Sequence, residues 1–277
     1  MKYRPTVRSF MLREFFRTIE FVGFRAAIVG VWKHIVGSAR KHGLRGAFER
    51  FVRNAPIRIE DPKPQQPHPF DLRHGTDTGG FIPGGIFSAI SLSSIYTTAY
   101  LGATPSAFTQ ALSALPIQHQ DFTFVDIGCG KGRALLIAAQ FPFRHLLGVE
   151  ISAEMCEIAR ANIAKAPDCA GRISIVNQNA ITVTYPDGPL LLFLFNPFLA
   201  PVLRSVLQNL ERQLRRSPRP AYILYEQYPR FERMDDSFAF LRELSETTYP
   251  FSSEDAAADP MERTQERFML YCAEITR

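Results

Sequence analysis

An acid and three glycines recur at every second position in Val125-Asp126-Ile127-Gly128-Cys129-Gly130-Lys131-Gly132-Arg133. Glycines let a backbone turn sharply and let a ligand approach with no Cβ in the way, while the start of a helix presents N–H groups that have no intrahelical partner. Chemistry of this kind suits a nucleotide-like ligand, provided that a strand leads into the turn and a helix leads out. The sequence supplies both. Phe122 to Ile127 is an apolar, β-branched run, and Ala134 to Ala139 continues as a helical pattern without a breaker until Pro142. A second strand follows, His145 to Val149, ending in Glu150. An acid at that place can accept hydrogen bonds from ribose hydroxyls, and open parallel sheets bind ligands beyond the carboxyl ends of their strands. The dinucleotide fingerprint would read Gly-x-Gly-x-x-Gly; here the order differs, and Asp126 is a poor neighbour for a pyrophosphate.

The Asp-x-Gly-x-Gly-x-Gly turn, with Gly148-Val149-Glu150 after it, resembles motif I and the following acid of the class I S-adenosylmethionine-dependent methyltransferases. The resemblance covers roughly residues 103–277. It implies a doubly wound, mostly parallel seven-stranded sheet and S-adenosyl-L-methionine as cofactor. By it, Asp126, Gly128, Cys129, Gly130 and Gly132 hold the amino-acid part of the cofactor, and Glu150 with Ile151 the ribose. Asn179 and Ala180 stand where the family usually has Gly-Asp-Ala against the adenine. Asn179 keeps a side-chain acceptor, and equally suits a polar turn after a strand.

The other elements follow in order. Ser152 can cap a helix from Ala153 to about Lys165, with Met155, Ile158, Ala159 and Ile163 on one face. Arg172 to Val176 reads as a third strand. Leu190 to Phe195 is an unbroken apolar run, as in central parallel strands covered on both faces. It ends in Asn196-Pro197-Phe198, similar to a shortened Asn-Pro-Pro-Phe/Tyr signature of amino-group methyltransferases, in which the Asn oxygen accepts from the target nitrogen. The competing reading makes Asn196 a helix cap and Pro197 the first helical residue. A helix over 200–216 leads to a fifth strand, Ala221 to Tyr225, with Tyr225, Glu226 and Tyr228 as candidates for substrate contact. Phe240 to Tyr249 and Arg267 to Ile275 fit an antiparallel final pair around a polar loop at 252–264.

Charge is uneven along the 277 residues: the formal net charge of +5 combines about +10 within residues 1–58 with about −5 elsewhere. Residues 1–58 read as a basic amphipathic helical extension. Its arginines are either solvated on a cap packed against the catalytic domain or face an anionic membrane surface, nucleic acid or an acidic partner. Arg25 and Lys33 interrupt the stretch Phe21 to Val36, which is too short and charged for a confident span, and a signal peptide is not evident. Residues 59–83 form a Pro/Gly-rich linker or cofactor-covering loop, and residues 84–277 the methyltransferase domain. A helical approach runs from Ser94 to Leu115, with Thr104-Pro105 as cap and first turn. Asp77, Thr78, Tyr96, Tyr100 and Thr104 can close the cofactor pocket. No ligand-spaced histidines imply a metal, and four cysteines without a Cys-x-x-Cys pair argue for a reducing compartment. The reading is a cytoplasmic enzyme, or one peripheral to a membrane, methylating an amino nitrogen of a protein acceptor. A small-molecule or RNA acceptor, or a silent cofactor-binding module, are the alternatives.

Overall fold

The computed structural model describes residues 67–81, 100–198, 200–227 and 238–275. The basic extension at 1–58, Tyr96 and Tyr228 lie outside the described residues.

Alternating apolar runs and helices produce one sheet flanked by helices. Its strands are β1 (Thr123–Ile127), β2 (His145–Glu150), β3 (Ile173–Asn177), β4 (Leu190–Phe195), β5 (Ala221–Gln227), β6 (Leu241–Pro250) and β7 (Gln265–Ala273), in the spatial order β3-β2-β1-β4-β5-β7-β6. β1 to β5 run parallel; β7 inserts antiparallel between β5 and β6. Every residue of β1 is buried, as are the first five of β4, which explains why neither shows polar alternation. The chain leaves β1 toward β2 and β3, then resumes on its other side with β4. The crevice between the carboxyl ends of β1 and β4 is therefore the topological switch point.

The helices are α1 (Pro69–His74), α2 (Pro105–Ser113), α3 (Arg133–Ala138), α4 (Ala153–Ile163), α5 (Pro167–Ala170), α6 (Ala200–Arg216) and α7 (Ser253–Ala258). Ser152 caps α4 through its hydroxyl, which accepts from Met155 N at 3.3 Å. In α6, Val206, Leu207, Leu210 and Leu214 form a fully buried stripe at helical spacing. α2 places Phe108 at the heart of the core, its ring centroid 4.4 Å from Phe193 and 6.2 Å from Phe124.

Three local expectations change. Among the described residues of the approach to the sheet, helix begins only at Pro105. Thr104 occupies its N-cap without a side-chain cap bond; Asp255 of α7 instead accepts from Ser106 N at 2.8 Å, so the cap comes from a residue distant in sequence. That acid belongs to a helix inside the 252–264 loop, where Ser252 accepts from Asp255 N. Among the described residues, no helix is long and apolar enough to cross a membrane.

Phe108 is fully buried among three aromatic neighbours, so Phe108→Ala should cost about 3–5 kcal/mol of stability. Urea unfolding of the variant against the parent measures this directly.

Candidate active site

The glycine turn is shaped by β2. Gly128 N and Cys129 N both donate to Val149 O, at 2.8 and 3.1 Å. Gly130 N donates to Glu150 Oε2 at 3.0 Å, and the other carboxylate oxygen accepts from Ser152 N at 2.8 Å. Two glycines are required by what surrounds them. A Cβ on Gly130, at φ 52°, would lie 2.3 Å from the Tyr100 ring, and one on Gly128, at φ 82°, would lie 3.0 Å from Pro197 Cβ. The turn is thus pressed from one side by the segment before α2 and from another by the end of β4.

Asp126, the last residue but one of β1, is 3% exposed, and no hydrogen bond among the described residues compensates its charge. Desolvation, then the nearby Glu150 carboxylate, push its pKa up to about 8. Glu150 is also raised by burial, against the opposing pull of its backbone donors. Asn177 Nδ2 donates to the carbonyls of Glu150 and Ile151, fixing the backbone at the end of β2. Asn179 Oδ1 accepts from Ile181 N at 3.0 Å, opening a short 3₁₀ turn over Ala180–Thr182 in which Ala180 is buried.

A latch that sequence reasoning missed ties α1 and the Gly75–Gly80 loop to this turn. Asp71 Oδ1 accepts from Thr76 Oγ1, Thr78 N and Thr78 Oγ1, at 2.6, 2.8 and 2.6 Å. Arg133, the first residue of α3 and 4% exposed, donates from Nε to Thr78 Oγ1 at 2.7 Å and pairs with Asp71 at 3.5 Å. Tyr100 donates to Thr78 O at 2.7 Å. Lys131 donates to Asp77 and Gly79 O, while Asn162 of α4 bonds Asp77 N and O and Lys131 O. Asp77, Thr78 and Tyr100 stand among the pocket-closing candidates of the sequence; Asp71 and Arg133, 62 positions apart, do not.

At the end of β4, Asn196 adopts φ 40°, a left-handed backbone that asparagine tolerates better than most residues. Its Oδ1 accepts from Tyr225 Oη at 3.2 Å. α6 begins only at Ala200, so Asn196 does not cap it and Pro197 is not its first residue. Phe198 is buried at 9% exposure. The structure therefore brings Asp126, Gly128, Gly130, Glu150, Tyr100, Asn196 and Pro197 to one end of the sheet, while Thr104 is buried at the start of α2. Among the described residues no cluster of potential ligands could hold a metal ion.

Residues 124–217 match a family described as a methyltransferase domain. A protein-lysine N-methyltransferase of Saccharolobus islandicus (strain REY15A) is 34% identical over 110 residues, covering 38% of this chain and 68% of that protein. The chain belongs to the class I S-adenosylmethionine-dependent methyltransferases. Its cofactor is accordingly S-adenosylmethionine. This methyltransferase is also 36% identical over 78 residues to a probable histone-arginine methyltransferase 1.3 of Arabidopsis thaliana, a match spanning 27% of this chain and 14% of that protein. A solved structure of a SAM-dependent methyltransferase from Leishmania major aligns with a TM-score of 0.44 at 14% identity, over 60% of this chain and 70% of that one.

Glu150→Ala removes both backbone clamps and should weaken S-adenosylmethionine binding by roughly 1–3 kcal/mol in a folded protein, measurable by calorimetry. Asp126 offers a pH test. Folded Asp126 keeps its proton up to about 8, whereas the unfolded carboxyl ionises near 3.8. The folded state therefore binds more protons between these values, and its contribution to stability is lost as pH rises through that window. Asp126→Asn should flatten the decline of the cofactor-free protein's melting temperature across this range.

Proposed function

We propose that this methyltransferase acts on an amino nitrogen of a protein, of the lysine type. The observation that carries the reading is Asn196. Its carboxamide oxygen is held by Tyr225 and its backbone is turned into the left-handed region, while the next residue, Pro197, abuts Gly128 of the cofactor turn. A neutral acceptor fixed beside the cofactor turn suits an amine, whose N–H it can orient without acting as a strong base. The name of the Saccharolobus relative points to the same acceptor class.

The residues present fit the cofactor. Asp126 is a buried carboxyl with no hydrogen bond among the described residues, suited to the amino-acid part, and the turn at Gly128, Cys129, Gly130 and Gly132 brings bare, positive-φ backbone against Pro197, Tyr100 and Ala159, where a Cβ would intrude. Glu150 and Ile151 would hold the ribose, and Asn179 and Ala180 the adenine. Tyr100, whose ring lies against Gly130, would close the pocket from the segment before the sheet. When bound, the cofactor supplies a methyl group already activated on a sulfonium. The protein's part is then to orient the acceptor lone pair, keep water out and dispose of a proton. The four cysteines are all free thiols, which suits a reducing compartment such as the cytoplasm.

Asn196→Ala should lower single-turnover rate by roughly tenfold or more while leaving cofactor affinity within about twofold, because lost positioning acts on the reacting pair. The acceptor class is tested by incubating cell extract with the enzyme and isotopically labelled cofactor, then locating the label by mass spectrometry. Label on lysine side chains is expected; label confined to RNA or small molecules would overturn the reading.

A further inference from the structure

Glu226 of β5 is fully buried, and no N–H or hydroxyl among the described residues donates to its carboxylate; its near neighbour is the carboxyl of Glu266, with which it can hydrogen-bond only by sharing a proton. It stands opposite Phe195 of β4 and Phe268 of β7, at the carboxyl end of the strand pair from which Asn196 follows. The charged groups that bear on it are Glu266 of β7, Arg263 in the loop ahead of β7, and Asp126 of β1. Arg263 is committed elsewhere. Its Nε and Nη2 donate to Asp259 Oδ2 at 3.0 and 2.7 Å, its Nη1 donates to Glu266, and its guanidinium lies over Phe195 and Phe251. Three acids, Asp259, Glu266 and Glu226, thus share one arginine, and the first two use its donors. The third is left without a cation of its own, beside Phe195 and Asn196, which are only half-buried.

We propose that Glu226 receives the ammonium head of the acceptor and takes its proton, with Glu266 behind it. This rests on the amino-nitrogen reading given above and adds to it the route by which the amine becomes neutral. Burial and the Glu266 charge raise the proton affinity of Glu226 and so favour its protonated form at rest. Entry of a cation expels that proton to solvent, because the pair of opposite charges is favoured where neither charge alone is. The bound complex rests as this ion pair, and only as the nitrogen meets the methyl group does the carboxylate accept a proton from the ammonium. The N–H bond breaks, its electron pair stays on nitrogen as the lone pair that attacks, and an O–H bond forms on Glu226. A carboxyl of raised proton affinity is better matched to an alkylammonium than an ordinary one.

The test uses the full-length enzyme loaded with S-adenosylhomocysteine and n-butylamine as a lysine side-chain probe. Calorimetry at pH 7 in two buffers of different ionisation enthalpy should show proton release on butylammonium binding. E226Q should lose that release and at least about tenfold in probe affinity, with S-adenosylhomocysteine affinity within about twofold. Methyl transfer to a lysine-containing protein pool should fall on the order of a hundredfold in E226Q and lose its dependence on pH in the neutral range. Wild-type protein binding the probe without proton release, or E226Q with an unchanged rate and pH profile, overturns the proposal. Should E226Q fail to fold, infrared difference spectra of the wild type decide. The protonated-carboxyl band is expected to disappear on addition of n-butylamine, and a band that persists overturns the assignment. An enzyme that methylates no amine at all defeats the amino-nitrogen reading; one that methylates lysine equally well as E226Q defeats this inference alone.

Discussion

The Glu150 carboxylate holds together the backbone on which everything at this end of the sheet depends. One oxygen takes the N–H of Gly130 and the other that of Ser152, so a single side chain sets both the glycine turn after β1 and the entry to α4. Hydrogen bonds to an ionised group are stronger than neutral ones, and here they are sheltered from water. The residue suited to a ribose is therefore also the one that gives the turn its shape. Cofactor recognition and local folding are not separable at this position.

Around that clamp the strand ends are acidic. Asp126, Glu150, Glu226 and Glu266 are all buried, and each is raised by desolvation. A cofactor with an ammonium and a sulfonium, and an acceptor that arrives as an ammonium, are what such a surface is complementary to. The cost of burying these acids is offset by apolar packing around Phe108, Phe124 and Phe193, which starts directly beside Asp126 in the strand register.

Much of this was legible in the sequence because it is local. The strands β1 and β4 announce themselves as unbroken apolar runs, and Glu150 follows its strand by plain adjacency. The ambiguity at Asn196 could not be resolved that way, since Asn-Pro serves on paper as well for a cap and first helical residue as for an acceptor-facing turn. Only the observed start at Ala200 and the Tyr225 hydroxyl decide that Asn196 is not a cap. The Asp71–Arg133 pair, the Asp255 cap on α2 and the isolation of Glu226 all join residues far apart in the chain, with no periodicity to betray them. The aspartates at 71 and 255 read as ordinary surface acids until the fold buries them.

The latch has a consequence for how this enzyme can vary. Tyr100 donates to the carbonyl of Thr78, which joins two residues 22 positions apart in the chain. Both anchors are fixed independently, Thr78 by Asp71 and Arg133, Tyr100 by its ring against Gly130. A substitution at Thr78 therefore reaches the glycine turn along two separate routes, one through the guanidinium that heads α3 and one through an aromatic ring laid on the turn itself. Drift at either anchor is constrained by the other, so the two positions vary together or not at all.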